Sequence, residues 1–392
     1  MNVSIFNGAG QSDYLYGLVS GLTSTPVKKI EVLDIDLASP IFKDFEKTRF
    51  HSVYIYQKKG TSHLKKAANI LRFYFLQSKH LLLHKKGIVH FQWLDRYFFT
   101  DRILLPVLSR LRGHKTILTV HNVNAGKRDN NDSYYNRFTL HMVYNLCNHL
   151  IVHTPLSKDE LVKEFKVRPE KISVIKHGMN NMVSTTGITQ LQARNDLNIS
   201  MNQKVVLFFG NIDYYKGLDI LIESLNYLPA KLSEKIVLLI AGNYKSPAYI
   251  EQINQMIEHS KSRSQIIAHI RFIPEDQIEK YFMASDCIAL PYRDIYQSGV
   301  LFLAYSFGLP AIATRVGNFE NDIVNEKTGI FADAIDPYSF ANALEKYFCS
   351  PFYHDLAQTR QHIREWSSGN YSWNTIGKET YNLYKRLLNG SG

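Results

Sequence analysis

The protein has 392 residues, of which 45% are hydrophobic and 21% are charged, and its formal net charge is +11. This length predicts two globular domains, and the composition excludes a disordered chain, a collagen and a small disulfide scaffold. The charge is unevenly placed, because residues 1–180 carry a net +13 and residues 181–392 a net −2. Ten Lys and Arg, and no acid, lie between Glu46 and Asp95. We expect only this half to meet an anionic partner, either nucleic acid or a membrane surface.

The cellular compartment is suggested by the cysteines and by the first residues. Cys147, Cys287 and Cys349 stand far apart in apolar contexts, which favours buried thiols over a disulfide or a zinc site. The opening MNVSIF is typical of a strand and lacks the pattern of a signal peptide, and no apolar run approaches about 18 residues. We expect a cytoplasmic protein, either free or peripheral on the inner face of the plasma membrane.

Short β-branched runs alternate with helical stretches along the chain. Many of the runs are continuously apolar, as buried parallel strands are. The predicted strands are Val3–Phe6, Ile88–Phe91, Thr116–Val120, His149–His153, Ile172–Ile175, Val205–Phe209, Ile236–Ala241, Ile270–Phe272, Cys287–Leu290 and Ala311–Thr314. This order predicts an α/β protein of two doubly wound Rossmann-like domains that face a cleft. We expect the domains at 1–180 and 203–350, a linker at 181–202 and C-terminal helices at 351–392.

Ligands of such folds bind in the loops after strands, and two of these loops contain glycines. Gly8 and Gly10 directly follow the first strand and would let a phosphate or a sugar approach the backbone. A dinucleotide fingerprint is disfavoured because Asp13 stands where a third glycine is needed, and a plain tight turn remains open. After Phe209, Gly210 and Asn211 lead to Lys216 at the start of an amphipathic helix, a combination that suits a diphosphate.

A third loop enters a helix after the strand Cys287–Leu290. Its Ser298, Gly299 and Val300 would offer helix-start N–H groups to an anion, although Ser298 could also act only as a helix cap. His121 follows the strand Thr116–Val120 and could hydrogen-bond a sugar or a phosphate, or be a structural histidine. Asp34 and Asp36 are interpreted as a strand end, not as metal ligands, and no nucleophile elbow is present.

These segments together resemble the GT-B-fold glycosyltransferases, most closely family 4. The resemblance rests on VHFQW, TVHNV, VIKHG, FFGNIDYYKGLDILIESL, LLIAG, RFIPEDQIEKYFMASDCIALPYRD, QSGV, FGLPAIATRVGN, KTGIF and NYSW. It covers most of the chain and implies retaining transfer of a sugar from a nucleotide-sugar without a metal or another cofactor. It also implies that the nucleotide, UDP or GDP, binds the C-terminal domain and the acceptor the N-terminal domain, to which the tail after Pro351 returns.

The resemblance assigns roles to several residues. Lys216 would hold the diphosphate and His121 would contact the donor sugar, so that these two are the catalytic candidates. Sugar choice is assigned to Asp294, Gln297 and Glu320. The remaining donor-binding candidates are Gly8, Gly10, Gly210, Asn211, Ser298, Gly299 and Val300.

Three departures from the family pattern stand out. The family's glycine pair before an acid is Gly317-Asn318 here, with Glu320 or Asp322 as the candidate acid. The paired glutamates of the family are absent, since the second position is Leu303 and the first is near Asp294 or Ile295. The arginine of the family's glycine loop is Asn211 here. We interpret these differences as features of a subgroup, although a donor-binding protein without catalysis remains an alternative.

The stretch from Lys58 to Lys86 interleaves basic residues with Leu, Phe and Tyr, which is typical of an amphipathic helix on anionic lipid. A packed helix with a solvated basic face is the alternative. We expect the acceptor or membrane face to include Lys58, Lys59, Lys65, Lys66 and Arg72. The acceptor would be a saccharide or a polyprenyl-linked saccharide in cell-surface polysaccharide assembly, with nucleic acid not expected as a partner. The rival functions are a nucleotide-sugar epimerase and a non-enzymatic nucleic-acid-binding protein.

Overall fold

The computed structural model describes residues 1–8, 12–33, 45–51, 62–94, 97–129, 132–180, 183 and 185–390. The chain divides into two compact units. The N-terminal unit comprises Met1–Gly178 and Tyr371–Gly392, and the C-terminal unit comprises Met179–Asn370. The last helix of the chain therefore belongs to the unit in which the chain begins.

The N-terminal unit contains, within its described residues, a parallel sheet of seven strands in the order β3-β2-β1-β4-β5-β6-β7. The strands are β1 Asn2–Phe6, β2 Lys29–Leu33, β3 Thr48–His51, β4 Ile88–Phe91, β5 Lys115–Val120, β6 His149–Val152 and β7 Ile172–Val174. Strands β4 and β6 are buried along their whole length, as expected for strands of a parallel sheet that is covered on both faces. The helices are α1 Ser12–Thr23, α2 His63–Leu83, α3 Leu105–Leu111, α4 Ala125–Arg128, α5 Tyr134–Leu146, α6 Pro155–Phe165 and, at the C-terminal end, α17 Trp373–Leu388.

The C-terminal unit contains, in the part of the chain described, a parallel sheet of six strands in the order β10-β9-β8-β11-β12-β13. The strands are β8 Lys204–Phe209, β9 Ile236–Gly242, β10 Ile266–Ile270, β11 Cys287–Leu290, β12 Ala311–Ala313 and β13 Gly329–Phe331. The helices are α7 Gln190–Asp196, α8 Leu218–Ser224, α9 Ala230–Ser233, α10 Pro247–His259, α11 Glu275–Ala284, α12 Gly299–Ser306, α13 Phe319–Asp322, α14 Pro337–Cys349, α15 Pro351–His354 and α16 Leu356–Asn370. The prediction of two Rossmann-like units is confirmed.

Some strand predictions were incomplete or wrong. The strand expected at Ile270–Phe272 lies four residues earlier, at Ile266–Ile270, where Ile266 pairs with Leu238 of β9. β2, β3 and β13 were not predicted. β2 carries a lysine and a glutamate, three of the four residues of β3 are polar, and β13 has only three residues, so none of them forms a long apolar run.

Glycines allow α17 to pack closely on α1. A Cβ on Gly377 would lie 2.2 Å from the carbonyl carbon of Gly21, and a Cβ on Gly17 would lie 1.9 Å from the Trp373 indole. Distances this short leave no room for a Cβ atom at these glycines, so α17 packs directly on the backbone of α1. This contact places the returning end of the chain in the N-terminal core with Trp373 and Tyr384. Among the described residues, no helix has the length and the hydropathy that crossing a membrane requires.

Candidate functional site

The loop after β8 places a buried lysine against the end of the strand and the start of α12. Gly210 follows β8 with a positive φ of 97°, which glycine adopts without strain. A short 3₁₀ turn, Tyr214–Lys216, brings the chain back, and Lys216 is only 7% exposed. A Cβ on Gly210 would lie 3.2 Å from both Lys216 Nζ and Val300 Cγ2. Gly210, Lys216 and Val300, all predicted donor-binding residues, are therefore adjacent.

The start of α12 lies in the same region. Ser298 is its N-cap, and its Oγ accepts a hydrogen bond from the Leu301 N–H at 3.4 Å. A Cβ on Gly299 would meet no described atom within 4 Å, so there is open space beside this residue. Gln297 Oε1 is buried and has no hydrogen-bond partner among the described residues. The helix N-terminus and the Lys216 ammonium can bind an anionic group, and the Gln297 amide oxygen can accept a hydrogen bond from a ligand hydroxyl.

Three of the predicted donor-binding residues are exposed, whereas Lys216 and Ser298 are buried. Asn211, Asp294 and Glu320 are exposed on the surface of the unit. Glu320 Oε1 lies 3.9 Å from the Arg315 guanidinium, a weak surface pair. Leu303, at the position of the missing glutamate, is buried in α12.

An ion pair that sequence reasoning missed joins two of these segments. Arg293, in the loop after β11, donates hydrogen bonds to both carboxylate oxygens of Asp219 at the start of α8, at 2.8 and 2.6 Å. The Arg293 guanidinium also donates to the Tyr214 carbonyl at 2.9 Å, and the backbone N–H of Arg293 donates to the Tyr215 carbonyl at 2.7 Å. The lysine turn and the loop after β11 are thus held together. No local sequence pattern links Asp219 with Arg293, because the two positions are 74 residues apart.

The N-terminal glycine loop is only partly described. Gly8 has a φ of 61°, and a Cβ there would lie 2.0 Å from the Trp93 carbonyl oxygen. Any other residue at this position would displace the backbone at the end of β4. Gly10 lies outside the described residues, as do Asp34 and Asp36.

His121, at the end of β5, is enclosed by aromatic rings. The Trp93 indole stacks on it with ring centroids 4.5 Å apart and planes 6° apart, and Tyr14 meets it edge-on at 4.6 Å. Burial lowers the pKa of His121 well below its ordinary value, and His153 and His177 lower it further. Together with Trp93 and Gln92, His121 lines a small cavity of about 30 Å³.

The hydrogen bonds determine which nitrogen of His121 is an acceptor. The Ile175 carbonyl can only accept, so His153 Nδ1–H donates to it at 2.9 Å. Burial holds the pKa of His153 at about 3, so its Nε2 carries a lone pair. That lone pair accepts from His121 Nδ1–H at 3.2 Å. His121 Nε2 then keeps a lone pair, and it has no hydrogen-bond partner among the described residues. A sugar hydroxyl could supply the missing donor.

The basic stretch contains the long helix α2. Lys58 and Lys59 lie outside the described residues. Lys65 and Arg72 are exposed and Lys66 is half-buried. An apolar stripe occupies the outward side of α2, within an arc of about 40°, and each of its members is at least 40% exposed. The apolar stripe consists of Leu64, Leu71, Phe75 and Leu82.

A basic stripe runs beside the apolar stripe at seven-residue spacing. It consists of Lys65, Arg72 and Lys79, all exposed. The buried side of α2, which includes Phe73, Gln77 and His80, points the other way. The apolar stripe is therefore not part of the core of the unit.

Two family models match the chain. The model described as Glycosyltransferase Family 4 matches residues 10–181, and the model described as Glycosyl transferases group 1 matches residues 189–366. The sequence is also similar to a D-inositol 3-phosphate glycosyltransferase from Corynebacterium diphtheriae, with 25% identity over 280 residues. That match covers 69% of this chain and 63% of the relative, so the chain spans less than two thirds of the relative's length.

Solved structures share the fold at low identity. Sucrose-phosphate synthase from Thermosynechococcus elongatus has a TM-score of 0.75 and 17% identity, with both chains fully covered. HepE from Anabaena, solved in complex with UDP-glucose, has a TM-score of 0.72 and 14% identity over 98% of this chain and 99% of that one. The fold is therefore that of the GT-B glycosyltransferases. Neither the epimerase nor the nucleic-acid-binding alternative is favoured by these matches.

Proposed function

Because the chain belongs to the glycosyltransferases of group 1 and family 4, we propose that it moves a sugar from a nucleotide-sugar to a saccharide or lipid-linked saccharide with retention of configuration. The observation that carries this proposal is the adjacency of Lys216, Gly210 and the start of α12. A UDP-linked donor is supported by HepE, whose structures contain UDP and UDP-glucose. GDP-linked donors remain the other class to test, and the acceptor is proposed to be a cell-surface polysaccharide precursor.

The proposed step breaks the bond between the anomeric carbon and the diphosphate oxygen and forms a bond to the acceptor oxygen on the same face. The acceptor hydroxyl gives its proton to the departing diphosphate, and the products are a nucleoside diphosphate and a glycoside. Negative charge grows on the diphosphate as the bond breaks. Lys216 and the N–H groups at the start of α12 would stabilise that charge without a metal ion, and prearranged donors of this kind are the largest catalytic contribution in many enzymes.

His121 would orient the sugar and would not act as a nucleophile. Its Nε2 lone pair accepts a hydrogen bond from a donor-sugar hydroxyl, and the stacked Trp93 ring holds the imidazole plane. Since burial lowers the pKa of His121, the ring is neutral at pH 7 and keeps this acceptor.

The test begins with a thermal-shift screen of UDP- and GDP-sugars on the purified full chain, because a bound donor stabilises the folded state. Turnover is then measured with the best donor and a pool of polyprenyl-linked saccharides, and the anomeric configuration of the product is read by NMR. Lys216→Ala should lower kcat by about 10²-fold, as the loss of one charge-stabilising donor does.

Lys231→Ala is the matched control, since Lys231 is an exposed lysine of the same unit. It should leave turnover unchanged. Wild-type turnover in Lys216→Ala would overturn the assignment of this lysine, and an inverted product would overturn retention.

We also propose that α2 places the protein on an anionic membrane. The support is the apolar stripe Leu64, Leu71, Phe75 and Leu82, with the basic stripe Lys65, Arg72 and Lys79 at its edge. Exposed apolar side chains beside lysines suit the boundary between lipid headgroups and acyl chains, and each basic residue near an anionic surface contributes about 1 kcal/mol.

Flotation with vesicles tests this proposal. The wild type should bind vesicles that contain an anionic lipid and should be released by high salt. Leu71→Glu combined with Phe75→Glu should weaken binding at least about tenfold, since two buried apolar side chains are lost. Phe272→Glu, which alters an exposed phenylalanine of the C-terminal unit, is the control and should bind as the wild type does. Equal binding of all three proteins, or no binding at low salt, would refute the proposal.

A further inference from the structure

A buried carboxylate in the N-terminal unit faces three histidines. Glu31, in the middle of β2, is 6% exposed. Its Oε2 lies 2.8 Å from His84 Nε2, 2.9 Å from His51 Nε2 and 3.9 Å from His80 Nδ1. Its Oε1 pairs with Lys29 Nζ at 2.6 Å. One oxygen is thus held by a lysine, and the other is directed at imidazole nitrogens.

The fold explains how residues so far apart in sequence meet. His80 lies in the last turn of α2 and His84 is the C-cap residue that follows the helix, with its N–H bonded to the His80 carbonyl. Their rings stack with centroids 3.7 Å apart. In the parallel pairing of β2 and β3, Glu31 is opposite Arg49 and Leu33 is opposite His51. Side chains two residues apart share a face, so Glu31 and His51 point to the same side of the sheet.

The arrangement fits a metal ion. Within the described residues, one ligand atom each from Glu31, His80 and His84 can be chosen so that all three lie within 4.8 Å of one another. Two ligand atoms that each lie about 2.1 Å from a tetrahedral ion are about 3.4 Å from each other. Small side-chain movements would therefore bring the three ligand atoms to binding distance from one ion. His51, on the same carboxylate oxygen, would be a fourth ligand or would orient the carboxylate.

A second layer of contacts orients the ligands. Ser4 Oγ lies 2.9 Å from His80 Nε2. If Nε2–H donates to this hydroxyl, Nδ1 is left with the lone pair that faces Glu31. Metal-binding histidines are commonly held by such a hydrogen bond through their other nitrogen.

The site has room for a further ligand. Glu31, His84 and Ser4 line a cavity of about 260 Å³. His84 is about 40% exposed at its side chain, so an ion can reach the site from solvent. A water molecule could then complete the coordination.

We propose that Glu31, His80 and His84, supported by His51, form a binding site for a divalent transition metal, with Zn²⁺ the best fit to this mixed nitrogen and oxygen set. Glu31 lies within a strand and not in a loop after one, so the ion is not assigned to the transfer reaction. Its role is structural: it fastens α2 to β2 and β3. His80 lies on the side of the helix opposite the apolar stripe, so the ion would hold the helix while leaving that stripe exposed.

The experiment measures metal binding by the full chain, purified without a polyhistidine tag and treated with a chelator. Titration with ZnCl₂ followed by elemental analysis should find one Zn²⁺ per chain. Co²⁺ should give the visible absorption of a four-coordinate site, and Zn²⁺ should raise the melting temperature. His84→Ala should weaken Zn²⁺ binding at least about tenfold and abolish both other signals.

His63→Ala is the matched control, because His63 is an exposed histidine at the start of the same helix. It should bind Zn²⁺ as the wild type does. Since His84 is partly exposed, its replacement should leave the fold intact, which circular dichroism would check, and Glu31→Gln provides a second ligand variant. Equal Zn²⁺ affinity in the wild type, His84→Ala and Glu31→Gln, or no bound Zn²⁺ in the wild type, would show a hydrogen-bonded cluster only and would overturn the proposal.

Discussion

Arg293 holds Asp219 by two hydrogen bonds, and this pair joins the loop after β11 to the start of α8. The pair is partly buried, with side-chain exposures of 24% and 15%. Burial raises the pKa of Asp219, but the hydrogen bonds from Arg293 and Tyr249 outweigh it and lower the pKa. Because Lys216 ends the turn that Arg293 also contacts, the pair positions the candidate diphosphate lysine.

Asp219→Asn should therefore weaken both stability and donor binding. The change leaves a partly buried guanidinium without its counter-charge, which we expect to cost about 2 kcal/mol of unfolding free energy. Donor affinity, measured by calorimetry, should fall about tenfold as the lysine turn loosens. Glu258→Gln breaks an exposed pair with Arg263 in the same unit and should cost less than about 0.5 kcal/mol. Equal effects of the two substitutions would contradict the positioning role.

His121→Phe should lower kcat and should also cost about 1–3 kcal/mol of unfolding free energy, because His153 Nε2 loses its hydrogen-bond donor. Phenylalanine keeps the ring stacked on Trp93 but removes the Nε2 acceptor. We expect at least a tenfold fall in kcat, within the range for loss of one positioned polar group. The melting temperature, measured in parallel, separates this effect from misfolding. His141→Phe alters an exposed histidine of the same unit and should leave kcat unchanged.

The N-terminal unit should lose stability between pH 7 and pH 5. Burial holds the pKa values of His90 and His153 at about 3, against about 6.5 in the unfolded chain. The unfolded state therefore binds more protons below pH 6.5, and stability present above that pH is lost as the pH falls toward 3. Each of these histidines should contribute a loss of about 2 kcal/mol by pH 5.

Denaturant unfolding followed by tryptophan fluorescence measures this loss, in the presence of a chelator so that bound metal does not contribute. His259→Ala, at an exposed histidine of the C-terminal unit, should leave the pH dependence unchanged. A stability of the N-terminal unit that does not vary between pH 7 and pH 5 would be inconsistent with buried, neutral histidines.

Gly377→Ala should destabilise the N-terminal unit strongly. The new methyl group would lie 2.2 Å from the backbone of Gly21 and would push α17 from α1. We expect a cost of about 3 kcal/mol, at the upper end for an overpacked core, seen as a lower melting temperature. Gly369→Ala, in α16, meets nothing within 4 Å among the described residues and should be neutral or slightly stabilising. Similar melting temperatures for the two variants would show that α17 is not held by this contact.

Local patterns were enough to predict most of the architecture and part of the candidate site. Buried parallel strands such as β8 and β9 are continuous apolar runs, so they can be recognised one at a time. The glycine loop before Lys216 and the helix start at Ser298 are also local, since a turn and a cap each depend on a few consecutive residues. The polar strand β2 was missed because Lys29 and Glu31 interrupt its apolar run.

Contacts between residues that are far apart in the sequence could be identified only from the tertiary structure. Arg293 and Asp219 are 74 positions apart, and the order of hydrogen bonds from Ile175 through His153 to His121 spans three segments. Glu31 and His84 meet because β2 lies beside β1 in the sheet and α2 packs over both. The amino-acid sequence specifies each segment through its own periodicity and turn residues. Which side chains become neighbours, and which protonation states their burial imposes, depends on the order of the strands and on the helices packed against them.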